Sequence, residues 1–182
     1  METQTASEYN EVIGLCKELF KKKTQDYGTS WRILRLPSLT DQIFIKAQRI
    51  RSIQEKGQQK VTDSIRDEFI GIINYCIIAL LQLELKEDKR KEISFEELEP
   101  LYDKWVNATR ELLANKNHDY GEAWRSMRVA SMTDIILMKL YRVKQIEDNR
   151  GKTLVSEGVI ANYQDMLNYA VFCMIKLNEN DH

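Results

Sequence analysis

Apolar residues recur along this chain at the three- and four-residue spacing of helix faces. Val12, Leu15, Cys16, Leu19 and Phe20 form the first stripe, which predicts a helix from a Ser7 cap to about Thr24. The pattern breaks at Asp26-Tyr27-Gly28, where glycine can take the left-handed conformation that closes a helix. A connection carrying Trp31, Arg32 and Arg35 ends at Pro37. Ser38, with Asp41 three residues on, then predicts the cap of a second helix that runs to Lys56 and stops at Gly57. A third helix is predicted from Thr62 to about Leu85. Lys86 to Lys91 has no apolar content and reads as a solvated linker, and Ser94-Phe95-Glu96-Glu97 reads as a short capped turn. Pro100 is expected at the first position of the next helix, which reaches about Asn117. Two further helices are predicted, from Ser131 to Asn149 and from Ser156 to Leu177.

The last three helices repeat the first three. Residues 26 to 49, shifted by 93, return as Asp119-Tyr120-Gly121, Trp124-Arg125, Arg128, Ser131, Thr133-Asp134, Ile136, Lys139 and Arg142, with 12 of 24 positions identical. Packing alone preserves hydrophobic pattern rather than particular letters. Here the kept letters are mostly Trp, Tyr, Gly, Arg, Asp and Lys, which is the main clue to function in the sequence. The fold expected is all-α, two pseudo-symmetric three-helix repeats packed as an internal dimer in a helical bundle. The repeats are placed at 1–86 and 100–182, with a charged linker and short turn over 87–99. Three helices bury little surface alone, so each half is expected to need the other.

Composition narrows the class. The 182 residues carry a formal net charge of −1 and 43% hydrophobic content, with two prolines and seven glycines, as suits a compact helical domain. Near-neutral charge removes the electrostatic case for duplex nucleic acid. Cys16, Cys76 and Cys173 are odd in number and set among apolar residues, so they read as reduced core residues. The N-terminus lacks a basic region followed by an apolar run, and Phe69 to Leu85 is interrupted by polar residues. A cytoplasmic protein without signal peptide or membrane span is expected.

The repeated polar letters are the candidate chemistry. Arg32, Arg35, Lys46 and Arg49, with Arg125, Arg128, Lys139 and Arg142, supply four cations per half that suit phosphate groups. The alternative pairs Arg32 with Asp26 and lets Lys46 lie along a solvated face. Asp63, Asp67, Gly71 and Asn74 share one face of the third helix. Shifted by 94, Glu157, Ala161, Asp165 and Asn168 match them. Such carboxylates suit Mg²⁺, which prefers oxygen ligands, although acids in a first turn also complement the helix dipole. Asn74 and Asn168 sit deep in apolar helices and need partners, from the core or from a ligand. Trp31 and Trp124 read as core plugs more readily than as base-stacking platforms. Gly28 and Gly121 should have positive φ, with Asp26 and Asp119 beside Arg32 or Arg35 and their repeats. His118 and His182 have no partner at zinc-ligand spacing, and no glycine-rich phosphate loop is present.

The string Lys-X-X-Asp-Tyr-Gly-X-X-Trp-Arg, then Lys-X-X-Arg, then an acidic helix ending in Asn-Tyr resembles the nucleotide-modification-associated domain family, small helical domains of phages and bacteria. The likeness covers nearly the whole chain as two copies. Asp63, Asp67 and Asn74 match the family's acidic pattern in the first half, where Gly71 replaces its later aspartate. Glu157, Asp165 and Asn168 match in the second, where Ala161 replaces an earlier one. More distantly, the acidic helix looks like that of the all-α nucleotide pyrophosphatases of the MazG-like and dimeric dUTPase group, which implies Mg²⁺-dependent hydrolysis of a nucleotide's phosphate chain. The companion acidic pair expected on an earlier helix is not evident here. The function expected is therefore binding of a nucleotide or other phosphate compound, with pyrophosphohydrolysis as its sharper form and a homo-oligomer left open. In that form Asp63, Asp67, Glu157 and Asp165 would hold Mg²⁺. The rival is a non-catalytic helical module that senses a nucleotide or docks a protein partner.

Overall fold

A computed structural model describes residues 3–57, 63–154 and 157–180, apart from the side chains of Thr3, Asp63, Ser64, Asn117 and Asp119. Six long helices make up the described chain: α1 (Thr3–Tyr27), α2 (Leu36–Lys56), α3 (Asp63–Glu84), α4 (Phe95–Tyr120), α5 (Val129–Asp148) and α6 (Val159–Glu179). Short 3₁₀ turns over Ser30–Ile33 and Ala123–Ser126 join α1 to α2 and α4 to α5. The expected helix starts at Thr62 and Ser156 lie outside the described residues.

Several helix ends differ from expectation, for identifiable reasons. Pro37 lies in the first turn of α2, where its missing N–H has no intrahelical partner to lose, so the helix begins before Ser38, capped by Arg35 in extended conformation. The second half repeats this, with Arg128 before Val129 and Ser131 inside α5. Neither serine is a cap. The turn at Ser94 is instead the start of α4: Ser94 Oγ accepts the Glu97 N–H at 3.2 Å. Pro100 thus falls inside the helix. It removes one bond near the N-terminus, and the buried stripe Leu98, Tyr102, Val106, Thr109 and Leu113 carries the helix through. The linker side chains are solvated as expected, apart from half-buried Asp88, but its backbone is docked. Buried Thr29 donates to Lys91 O at 2.7 Å and accepts from the Ile93 N–H at 3.1 Å. Arg90, through its guanidinium and its backbone N–H, holds the Asp88 carboxyl down at about 2.

The helices pack as three layers of pairs. α3 and α6 form the middle layer, α2 and α5 lie together on one side, and α1 and α4 lie together on the other. The middle pair is apolar around most of its circumference, as a helix buried on several sides must be. Exchanging the halves maps the α1–α6 contact onto α4–α3, α2–α3 onto α5–α6, and the α3–α6, α2–α5 and α1–α4 contacts onto themselves. This is the pseudo-two-fold internal dimer expected from the repeat.

Its seams are stitched by paired hydrogen bonds. Tyr9 Oη donates to Asn168 Oδ1 at 2.7 Å, and Tyr102 Oη donates to Asn74 Oδ1 at 2.9 Å. Each asparagine also donates to its own half, Asn74 to Cys16 O at 3.0 Å and Asn168 to Thr109 O at 3.2 Å. The buried amides therefore answer to the core. Cys16, Cys76 and Cys173 are buried free thiols.

The symmetry breaks at the α2–α5 seam. Thr40 Oγ1 of α2 donates to Glu147 Oε1 of α5 at 2.6 Å, whereas the matching Gln54 donates its amide to Thr133 Oγ1 at 3.2 Å. Partial burial raises the Glu147 carboxyl above its ordinary value, against the Thr40 hydrogen bond. A raised carboxyl favours the protonated fold, so this contribution is present below the ordinary glutamate range and is lost as pH rises through the folded value. Glu147→Gln, which copies Gln54, should raise the melting temperature by about 1–2 °C at pH 8, after allowing for solvent that still reaches the group. The gain should vanish near pH 4. Equal melting shifts at both pH values would rule out this account.

Candidate functional site

The repeated cations separate into two groups. Arg32 and Arg125 belong to the fold. Arg32 donates to Arg90 O at 3.1 Å, to Leu85 O and Asp88 O beyond the end of α3, and to Gln82 Oε1. Arg125 lies 4.5 Å from the Trp124 ring centroid and pairs with Glu8, Glu122 and Glu179 at 2.7–2.9 Å. Gly28 and Gly121 have φ of 65° and 62°, as a closing turn requires. The Asp26–Arg32 pairing does not form: Asp26 is exposed, and the guanidinium is engaged by the α3 end and the linker. The Asp119 side chain falls outside the described part of the chain. Tyr27 and Tyr120 are exposed at the same turns. Trp124 is buried, stacked on Phe172 at 4.1 Å, and Trp31 packs on Phe20 at 6.4 Å, so both act as plugs. Arg35 and Arg128 are exposed ahead of α2 and α5.

The second group lies on the α2 and α5 faces turned toward α3 and α6. Lys139, Arg142, Ile146 and Asn149 are spaced three, four and three, one stripe of α5. α5 closes with Gly151 N–H on Ile146 O at 2.7 Å, and Arg150 and Gly151 take left-handed φ of 56° and 83°. The chain turns back, and Lys152, Thr153, Leu154 and Glu157 wall an open cleft of 880 Å³ against that stripe. Asn162, tied by its amide to Gly158 O at 2.9 Å, brings the α6 start to the floor, and Tyr141 and Met138 line the apolar side. Behind Lys139 sits buried Asp165, which takes Lys139 Nζ at 2.9 Å and Lys116 Nζ at 2.8 Å. Desolvation pulls the Lys116 ammonium down, but Asp165, with Glu157 nearby, outweighs it, so its pKa is raised.

In the first half Lys46 and Arg49 occupy the matching face of α2. Both pair with Glu68, at 3.7 and 2.7 Å, and Lys46 Nζ lies 5.7 Å from the Tyr75 ring centroid. Asp67 is exposed, and the Asp63 side chain falls outside the described part of the chain. Among the described residues no three His, Cys, Asp or Glu side chains gather as a metal site. The donor set at Asp165 suits ammonium groups better than Mg²⁺, because each carboxylate oxygen already accepts from a lysine.

Glu68, Asn162, Lys152 and Tyr141 are not singled out by the sequence. Lys116 opens the repeated Lys-X-X-Asp-Tyr-Gly string, as Lys23 does in the first half, but the sequence assigns it no role. The others are not repeated letters, and only the turn after α5 brings Lys152 to the cleft.

The family described as nucleotide modification associated domain 1 matches residues 23–83 and 116–177, one copy in each half. No curated protein and no solved structure matches the chain. No described helix is long and apolar enough to cross a membrane.

Proposed function

We propose that this chain, which belongs to the nucleotide modification associated domain 1 family, binds a nucleotide or related phosphate compound in the second-half cleft. The observation that carries the reading is the charge of its lining: Lys139, Arg142 and Lys152 face Glu157, the sole carboxylate among the described lining residues. Fixed cations on a helix stripe suit consecutive phosphates. Gln145, Asn149, Thr153 and Asn162 supply donors and acceptors for a sugar or base, and Tyr141 and Leu154 supply apolar surface. The volume of 880 Å³ falls in the range of small-molecule sites, about 300–1,000 Å³. Binding without hydrolysis is favoured, because Asp165 is held by two lysines rather than offered to Mg²⁺.

Isothermal titration against mono-, di- and triphosphates of ribo- and deoxyribonucleosides, with and without Mg²⁺, tests this reading. Affinity should rise with phosphate number. Arg142→Ala should weaken it about tenfold, the loss of one charge-assisted contact, while the melting temperature of this exposed-site variant stays put. Absence of binding, or binding indifferent to both Arg142→Ala and Lys152→Ala, removes the proposal. Mg²⁺-dependent pyrophosphate release would move it to the pyrophosphohydrolase form.

A further inference from the structure

The cleft and its first-half counterpart differ by the position of one carboxylate. On α3, Glu68 takes Arg49 at 2.7 Å and Lys46 at 3.7 Å. Three residues on, Gly71 leaves room for the Lys46 stem, and a Cβ at Gly71 would come within 2.8 Å of Lys46 Cε and 2.9 Å of Cδ. On α6 the residue matching Glu68 is Asn162, and the residue matching Gly71 is Asp165. The acid has moved about one turn along the helix. From there it draws Lys139 back into a pair shared with Lys116. Arg142 is exposed on the cleft, and no carboxylate among the described residues pairs with it.

We infer that the two pseudo-equivalent sites have diverged: the second half alone takes the anionic ligand, and the first half carries Glu68 as a built-in counter-ion where a phosphate would sit. This deepens the proposed function and rests on it. An anion approaching Arg49 must displace a carboxylate whose side chain is only 15% exposed and is held by two cations. Losing that pair strands a charge, a cost that an incoming phosphate must overcome before it gains anything. An anion approaching Arg142 meets no carboxylate paired with it among the described residues. Glu68 thus works against a second ligand by charge, as a repulsive element does in specificity.

Titration of the full chain with inorganic pyrophosphate tests the inference, comparing wild type with Arg49→Ala, Arg142→Ala and Glu68→Gln. Wild type should bind one equivalent. Arg142→Ala should weaken it tenfold or more, and Arg49→Ala should change it less than twofold. Glu68→Gln, with helical content confirmed by circular dichroism, should add a second event and move the stoichiometry toward two. Should Glu68→Gln not fold, the contrast between the two arginine variants decides. Two equivalents on wild type, or a folded Glu68→Gln that still binds one equivalent, overturns the divergence while leaving the cleft reading in place; a loss confined to Arg49→Ala overturns both. No pyrophosphate binding by wild type overturns both.

Discussion

Asn74→Ala is expected to destabilise the whole protein by about 3–5 kcal/mol and to lower its melting temperature by about 10 °C or more. Asn74 is buried, and its amide has two partners from different halves, Tyr102 Oη and Cys16 O. Truncation leaves the buried Tyr102 hydroxyl unpaired, at about 1–3 kcal/mol, removes a second bond to Cys16 O, which keeps its partner within α1, and opens a small cavity beside them. Asn74→Leu fills the volume but still orphans the Tyr102 hydroxyl, so it should recover only the cavity part. Pairing it with Tyr102→Phe removes one orphan, and a double-mutant cycle should return a coupling of about 1 kcal/mol or more. Because the Tyr102 bond crosses the pseudo-two-fold seam, unfolding should remain a single transition, read alike by fluorescence and far-ultraviolet circular dichroism. An Asn74→Ala loss below 1 kcal/mol would show that water or a local shift replaces the lost bonds.

Asn74 also marks how far the sequence could be read. An amide in an apolar helix had to have partners, and its recurrence as Asn168 made chance a poor explanation. The identity of the partners was hidden, because Tyr102 is 28 residues away and belongs to the other repeat. The six helices were legible from periodicity, and the internal dimer from the 93-residue shift, since both signals are local or self-referential. Gly28 and Gly121 were legible because only a left-handed residue closes those turns. The starts of α2, α4 and α5 were not: Pro37 fits the first turn of α2, α5 opens at the matching residues, and a buried stripe carries α4 through Pro100.

The site was half legible. Repetition singled out Arg32, Arg125, Lys139 and Arg142 alike, for repetition records that a letter is needed and not why. Arg32 and Arg125 turned out to hold the 3₁₀ turns against α3, the linker and α1. The departures between copies, Gly71 against Asp165 and Glu68 against Asn162, read in sequence as incomplete motifs. Packed together, they form two different solutions to the same charge problem.

Those two solutions should be exchangeable. Asp165→Gly is expected to cost about 3–5 kcal/mol: it strands Lys139, whose side chain is 14% exposed, and adds about 1 kcal/mol for glycine inside a helix. Lys116, at 46% side-chain exposure, regains water and contributes little to that loss. Adding Asn162→Glu copies Glu68 onto α6, so the new carboxylate can take both Lys139 and Arg142, and the glycine gives the Lys139 stem the room that Gly71 gives Lys46. The double variant should recover about 2 kcal/mol of the loss in urea denaturation. It should also lose pyrophosphate binding, because Arg142 now has a counter-ion of its own. Stability and binding therefore move in opposite directions across one added charge, a result that a purely structural role for Asp165 does not produce. Deeper destabilisation on adding Asn162→Glu, or binding that survives the exchange, would show that the halves differ by more than where each keeps its carboxylate.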